Sequence, residues 1–309
     1  IPLPSQPEPD FSMTEHLRAR GVDVFFSLPI KTALQVEMPR LVWLYDFQHV
    51  RHPELFSAEE VERRQLLFRE NAQSARRVVV TAETVCNDFA AFAPDLSHKA
   101  VVLPIVPWLP PAVFDAARPR WIPGGVPSRF FFLPNHFLPH KNHLVVLQAL
   151  RILKQKGLEA AVVCTGHQED GQGGACFNAL MEHRRQWGLE NLFLPLGLVP
   201  RHRFYDLLCQ CAALINPSRF EGFGLSVAEA RFLGVRAALS DLPVMREHGH
   251  SLARYFDPDD AGALALILEE LWEESAPPPD GRRVHREYLA AQRAFAAAFL
   301  KIAEGAVLP

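Results

Sequence analysis

Asn216-Pro-Ser-Arg-Phe-Glu221-Gly-Phe-Gly224-Leu-Ser226-Val-Ala-Glu229-Ala is the stretch that decides the fold. It joins the apolar run 213–216 to the helix-periodic run 226–233 through two glycines, so a strand turns directly into a helix. Glycine lets backbone approach a ligand closely, and the unpaired N–H groups of the following helix form an anion site suited to a diphosphate. Glu221 and Glu229 lie eight positions apart, one in the loop and one in the first helical turn, and both can face that pocket. Carboxylates repel phosphates, so these two would bind hydroxyls. Ser226-Val-Ala-Glu229 also reads as a capping box, in which Glu229 would only satisfy its own helix end.

The alternation of strands and helices continues on both sides. Downstream, Gly234 closes the helix, 236–240 reads as a strand, 261–274 as a helix, and after Pro277-Pro278-Pro279 a last helix covers about 282–303. Upstream, 129–133 reads as a strand and 142–156 as a helix burying Val146, Leu147, Leu150 and Leu153, with Gly157 just past its end. The strand 160–164 ends at Thr165-Gly166, and a helix (175–187), a strand (191–194) and a helix (203–210) follow. This is a doubly wound α/β unit, whose ligands sit beyond the carboxyl ends of the strands, near Asn135, Gly166 and 217–224.

The proline-dense stretch 104–128 reads as a linker, with the domain boundary inside it. Ahead of it, 22–26, 41–44, 78–81 and 100–103 read as buried strands, and 58–75 as a charged helix capped by Ser57. The expected division is an N-terminal Rossmann-like domain over 1–118, a second over 119–281, and a closing helix over 282–309 that crosses back to the first.

Bulk properties narrow the function. A formal net charge of −3 over 309 residues argues against binding nucleic acid through a broad basic surface. No apolar run approaches the roughly 20 residues that span a bilayer. No secretory pattern opens the chain, and five cysteines without a CxxC pair read as reduced thiols, so a cytoplasmic location is expected. The start at Ile1, without Met and followed by Pro2, Pro4, Pro7 and Pro9, points to a fragment of a longer product with a truncated first domain.

The central stretch resembles the EX7E region of retaining glycosyltransferases, above all glycosyltransferase family 4 (group 1). Glu221 and Glu229 have the required spacing. Gly234, Ser240-Asp-Leu-Pro243, Arg246-Glu247 and Tyr255-Phe-Asp-Pro-Asp-Asp260 continue the match in order. Leu133-Pro-Asn-His-Phe-Leu-Pro-His-Lys141-Asn142 corresponds to the family's basic diphosphate-binding stretch, and the likeness covers roughly 129–272. The resemblance implies a GT-B fold of two Rossmann-like domains, the N-terminal one incomplete.

Roles carried over by the resemblance place Glu229 on the donor ribose and Lys141 on the diphosphate, with the backbone of Gly224 and Leu225. Glu221 and the amides of Gly222 and Phe223 would hold sugar hydroxyls, while Asn135, Gly166 and Val199 border the donor, Val199 beside the base. His136 stands where many members carry Arg, and a histidine is only partly charged near neutrality, so stabilisation of the leaving group would fall mainly on Lys141. Tyr45-Asp-Phe-Gln-His49 resembles a cleft-facing stretch of the first domain, with Asp46 and His49 on the sugar or acceptor side; an ordinary helix-entering loop is the other reading.

Asp257-Pro-Asp259 fits a turn better than a metal-ligand pair, and Gly171-Gln-Gly-Gly174 lacks the Lys-Ser/Thr of a phosphate loop. Neither a metal nor a cofactor is expected. The implied activity is metal-independent, retaining hexosyl transfer from a nucleotide-diphosphate sugar to a glycan or lipid-linked acceptor, at the inner face of a membrane with peripheral contact. GDP-mannose is one donor among UDP- and dTDP-sugars. The alternative is a catalytically impaired nucleotide-sugar-binding module.

Overall fold

In the computed structural model, residues 12–29, 37–115, 117–169, 174–274 and 280–307 are described. Their strands form two sheets in which every pairing is parallel. The chain divides into two units, one of residues up to Ile105 with those from Arg293 onward, the other Val106–Gln292. The proline-rich start, the glycines at 171–173 and the prolines at 277–279 lie outside the described residues.

The first unit runs α1 (Met13–Arg18), β1 (Phe25–Ser27), β2 (Arg40–Trp43), α2 (Gln48–Arg51), α3 (Ala58–Ser74), β3 (Arg77–Val80), α4 (Glu83–Phe92) and β4 (Ala100–Val102). Its sheet order is β1-β2-β3-β4. Ser57 caps α3 as expected, its Oγ accepting the Glu60 amide at 3.2 Å. Helix α4 was not foreseen because its N-cap is Ala82, which makes no side-chain cap bond. Leu41, Val79 and Leu103 form a small core that the end of the last helix covers with Phe295, Phe299 and Ala306.

The second unit continues with β5 (Phe131–Leu133), α5 (His143–Gln155), β6 (Val162–Cys164), α6 (Ala175–Gln186), β7 (Phe193–Pro195), α7 (Arg201–Leu208), β8 (Leu214–Asn216), α8 (Leu225–Phe232), β9 (Ala237–Ser240), α9 (Pro243–His248), β10 (Ala253–Phe256), α10 (Ala261–Glu273) and α11 (Gly281–Val307). The order is β10-β9-β8-β5-β6-β7. Phe131, Phe132 and Leu133 have no exposed surface, as a strand covered on both faces requires. Helices α5 and α10 close one face with Val146, Leu150, Leu264 and Leu268.

These are two Rossmann-like α/β units with a four-stranded and a six-stranded sheet, the pair of domains that a GT-B fold carries. The proline-dense stretch is less free than a linker reading suggests. Leu109 and Val113 are buried in the second unit, the Leu109 amide donates to Tyr288 Oη at 2.7 Å, and Gln210 donates to the Trp121 carbonyl at 3.2 Å. No described helix is long and apolar enough to cross a membrane.

Candidate functional site

In the six-stranded sheet the chain leaves β5 toward β6 and β7, and leaves β8 in the opposite direction toward β9 and β10. The loops after β5 and β8 therefore diverge, which is where such sheets open a crevice. A cavity of about 430 Å³ lies there. Asn135, His136 and Lys141 reach it from the loop after β5, Gly166 from the loop after β6, and Val199 from the approach to α7. Glu221, Gly224, Leu225 and Glu229 line it from the segment after β8. Gly222 and Phe223 are not among its walls; Phe223 is buried, its ring 4.2 Å from that of His248.

Lys141 Nζ meets Glu221 Oε1 at 2.6 Å with both side chains largely buried. The same oxygen accepts Ser218 Oγ at 2.8 Å and Asn216 Nδ2 at 3.4 Å. Burial raises the Glu221 pKa, but the Lys141 charge and these hydrogen bonds outweigh it and hold the carboxyl below its ordinary value. Asn142 fixes the loop that carries Lys141. It adopts a left-handed backbone (φ 53°), which asparagine tolerates. Its Nδ2 donates to the Pro217 and Pro258 carbonyls at 3.0 and 2.7 Å, and its Oδ1 accepts Arg219 Nη1 at 2.6 Å. The Arg219 amide donates in turn to the His140 carbonyl at 2.8 Å, so the two loops are tied at several points.

Glu229 is fully buried and bonds the Arg201 guanidinium, while Tyr205 Oη lies 3.2 Å from its Oε1. Helix α8 begins at Leu225, with Gly224 (φ 79°) as N-cap and no side-chain cap. Ser226 thus sits inside the first turn, and Glu229 spends its carboxylate on Arg201 and Tyr205. The capping-box reading is set aside. The amides of Leu225 and Ser226, both at the cavity wall, have no acceptor within their helix. Gly166 (φ 151°) is required by contact: a Cβ there would stand 2.4 Å from the Asn135 carbonyl oxygen.

His136 Nδ1 accepts the His167 amide at 2.9 Å, which leaves the ring proton on Nε2. Desolvation, then the His167 and Lys141 charges, lower its pKa, so near neutrality it is an uncharged donor. Positive charge at this site rests on Lys141 and Arg201.

In the first unit, Asp46 Oδ1 accepts the Gln48 amide at 3.1 Å, a turn at the start of α2. His49 has no exposed surface and packs against Phe47, Phe68 and Phe92. A ring so enclosed offers no atom to a sugar, which corrects the expectation for His49. Burial, followed by the Arg64 charge, lowers its pKa to about 4.

Sequence reasoning missed Arg201 and Tyr205. The expected helix began at 203, whereas α7 starts directly after Pro200, and the two added residues put Arg201 in the first turn, where it meets Glu229. Proline fits the first turn of a helix, so Pro200 was the available signal. Asp257 and Asp260 behave as expected, the first accepting the Asp259 amide at 2.9 Å and the second capping α10. Among the described residues no three His, Cys, Asp or Glu side chains are grouped as a metal would need.

Comparison with known proteins bears on this arrangement. An uncharacterized glycosyltransferase of Bacillus subtilis, YqgM, is 27% identical over 144 residues, 47% of this chain and 37% of that one. The serotype-specific mannosyltransferase WbdA of Escherichia coli is 24% identical over 254 residues, 76% of this chain and 30% of that one. The chain thus spans well under half the length of these relatives. Alr3699/HepE of Anabaena, solved in complex with UDP and glucose, superposes with a TM-score of 0.64 at 17% identity, covering 93% of this chain and 77% of that one. The family described as Glycosyl transferases group 1 matches residues 125–286, more than half of the sequence and the whole cavity, and the chain belongs to that family.

Proposed function

We propose that the chain is a retaining, metal-independent hexosyltransferase of family 4 that takes a nucleotide-diphosphate sugar as donor and a glycan or lipid-linked acceptor. The observation that carries this is the convergence of Lys141, Glu221, Glu229 and the α8 N-terminus on one cavity at the β5/β8 switch point. Glu229 holds the ribose hydroxyls, sharing its carboxylate with Arg201. Lys141 and the amides of Leu225 and Ser226 take the diphosphate, and Asn135 and Gly166, whose backbones pack too closely for a Cβ, border it. Glu221 binds sugar hydroxyls, whereas the Gly222 and Phe223 amides, expected beside it, do not line the cavity. Asp46 remains on the sugar or acceptor side.

Cleavage of the sugar–diphosphate bond puts negative charge on the leaving group, and the cation and helix dipole stabilise it without a metal. His136 adds a neutral N–H. Support for the donor class comes from a solved relative with bound UDP, and for mannose from the E. coli mannosyltransferase. The location we assign is cytoplasmic, at the inner membrane face.

Titration with GDP, UDP, dTDP and ADP, followed by assay of nucleotide release from the matching sugars, tests this reading. One nucleotide is expected to bind best and its sugar to turn over; no binding of any sinks it. The alternative, a binding module without turnover, is favoured by the buried His49 and is selected by binding without release.

A further inference from the structure

The first unit holds a cavity of its own, of about 690 Å³. Arg40 opens β2, Arg77 opens β3 and Lys99 immediately precedes β4, and all three line it. It therefore lies at the amino ends of these strands, opposite the end where α/β sheets take their ligands. Arg76 and His98 complete the basic wall, and the end of α11 at Gly305–Val307 closes another side; among the described residues none that lines it is acidic.

Three of these cations, Arg40, Lys99 and Arg77, are held by neutral groups. Arg40 is 7% exposed, and its guanidinium bonds Ser27 Oγ at 3.0 Å, Ser74 Oγ at 3.3 Å and the Asn71 amide oxygen. Lys99 Nζ donates to the Ala72, Gln73 and Ala75 carbonyls at 3.1, 2.7 and 2.8 Å, capping the end of α3. The Arg77 guanidinium reaches the His98 carbonyl at 3.5 Å. None of these partners is a carboxylate, and a buried cation without a counter-charge is expensive. Desolvation and then the Arg76 charge push the Lys99 pKa down, as crowded cations do.

We propose that this cavity is an anion site, separate from the donor site, that takes a phosphate-bearing molecule. Guanidinium forks match phosphate oxygens in pairs, and among the described lining residues there is no carboxylate to offset the positive field. The cavity far exceeds what inorganic phosphate fills, so the phosphate is carried on a larger body, either a soluble phosphoester or a lipid headgroup.

Calorimetric titration with inorganic pyrophosphate tests this on the full chain. Lys141→Gln serves as parent, so that the donor site contributes little. Adding Arg76→Gln and Arg77→Gln is expected to weaken binding at least about tenfold, the loss of two charge-assisted contacts. An unchanged affinity overturns the proposal. Should the combined variant not hold its fold, Arg76→Gln alone, at an exposed position, is read instead, with a loss of about threefold or more expected and none overturning. Sedimentation with phosphatidylglycerol and phosphatidylcholine vesicles separates the sources. Capture by the anionic vesicles that depends on Arg76 and Arg77 assigns a headgroup; pyrophosphate binding without capture assigns a soluble phosphoester. Neither result overturns the site. Failure of nucleotide binding at Glu229 leaves this test unaffected, because the two cavities share no residue.

Discussion

Lys141 in the second unit and Arg40 in the first are both cations drawn out of solvent at the end of a parallel sheet, yet they are neutralised in opposite ways. Lys141 faces a carboxylate, Glu221, at 2.6 Å. Arg40 faces only hydroxyl and amide oxygens. A site with its own counter-charge folds complete and must exchange that partner when an anionic ligand arrives. One without a counter-charge keeps its attraction for an anion. The loops past the strands differ too: the second unit directs its ion pairs at a cavity, whereas the first packs His49 among phenyl rings and pairs Arg51 with the buried Asp88.

The largest effect is expected from Lys141→Ala. Loss of the leaving-group cation lowers nucleotide release by about a hundredfold or more. Stability falls by about 3 kcal/mol in denaturant unfolding, because Glu221 is left buried without its cation. Lys141→Met combined with Glu221→Leu recovers most of that stability and none of the turnover. A fully active Lys141→Ala would break the comparison outright.

Next is Glu229→Gln, expected to weaken nucleotide affinity by about tenfold, the range for a hydrogen bond to a charged group, with a smaller fall in melting temperature. Calorimetry beside thermal unfolding checks it; equal stability loss with full affinity would make Glu229 a structural residue.

The third concerns pH. The buried His49 titrates at about 4 against 6.5 in the unfolded chain, so between these values the unfolded state holds a proton that the folded state refuses. The stabilisation is complete above pH 6.5 and is lost as pH falls toward 4, by about 1–3 kcal/mol. His143, held at about 3 by burial, acts in the same direction. Unfolding measured across that interval is expected to give a shallower slope for His49→Leu than for the parent.

Smallest is Arg40→Met. No buried carboxylate is stranded, and removing a buried cation that has no counter-charge offsets much of the loss of its charge-assisted hydrogen bonds, so the expected loss is about 1 kcal/mol. A loss as large as that of Lys141→Ala would reveal a counter-charge for Arg40 and remove the contrast.

Much of the second unit was legible because its signals are local. The run of Phe130 to Leu133 announces a buried strand, and the glycines at 166 and 224 and the carboxylates at 221 and 229 announce a backbone state or a spacing and meet at one cavity. What stayed hidden depends on contacts distant in sequence. Arg201 meets Glu229 only after α7 has packed; Pro200 marks where that helix starts but says nothing of its partner 28 residues on. His49 looked like a polar loop residue, but Phe68 and Phe92, distant in sequence, close over it together with the neighbouring Phe47. Helix α4 lacked a capping side chain, and α8 began one residue before the serine that seemed to cap it.

Asn142 makes backbone geometry and side-chain bonding separable in a saturation library. Glycine there keeps the left-handed turn and gives up the bonds to Pro217, Pro258 and Arg219. Aspartate keeps the turn and the Arg219 contact but has no N–H for the two carbonyls. Alanine loses both. If the three are ranked by nucleotide affinity, the spacing between glycine and alanine reports the turn, and that between asparagine and glycine reports the stitching that holds Lys141 opposite Glu221. One position thereby measures how far the donor pocket is preorganised before any ligand arrives.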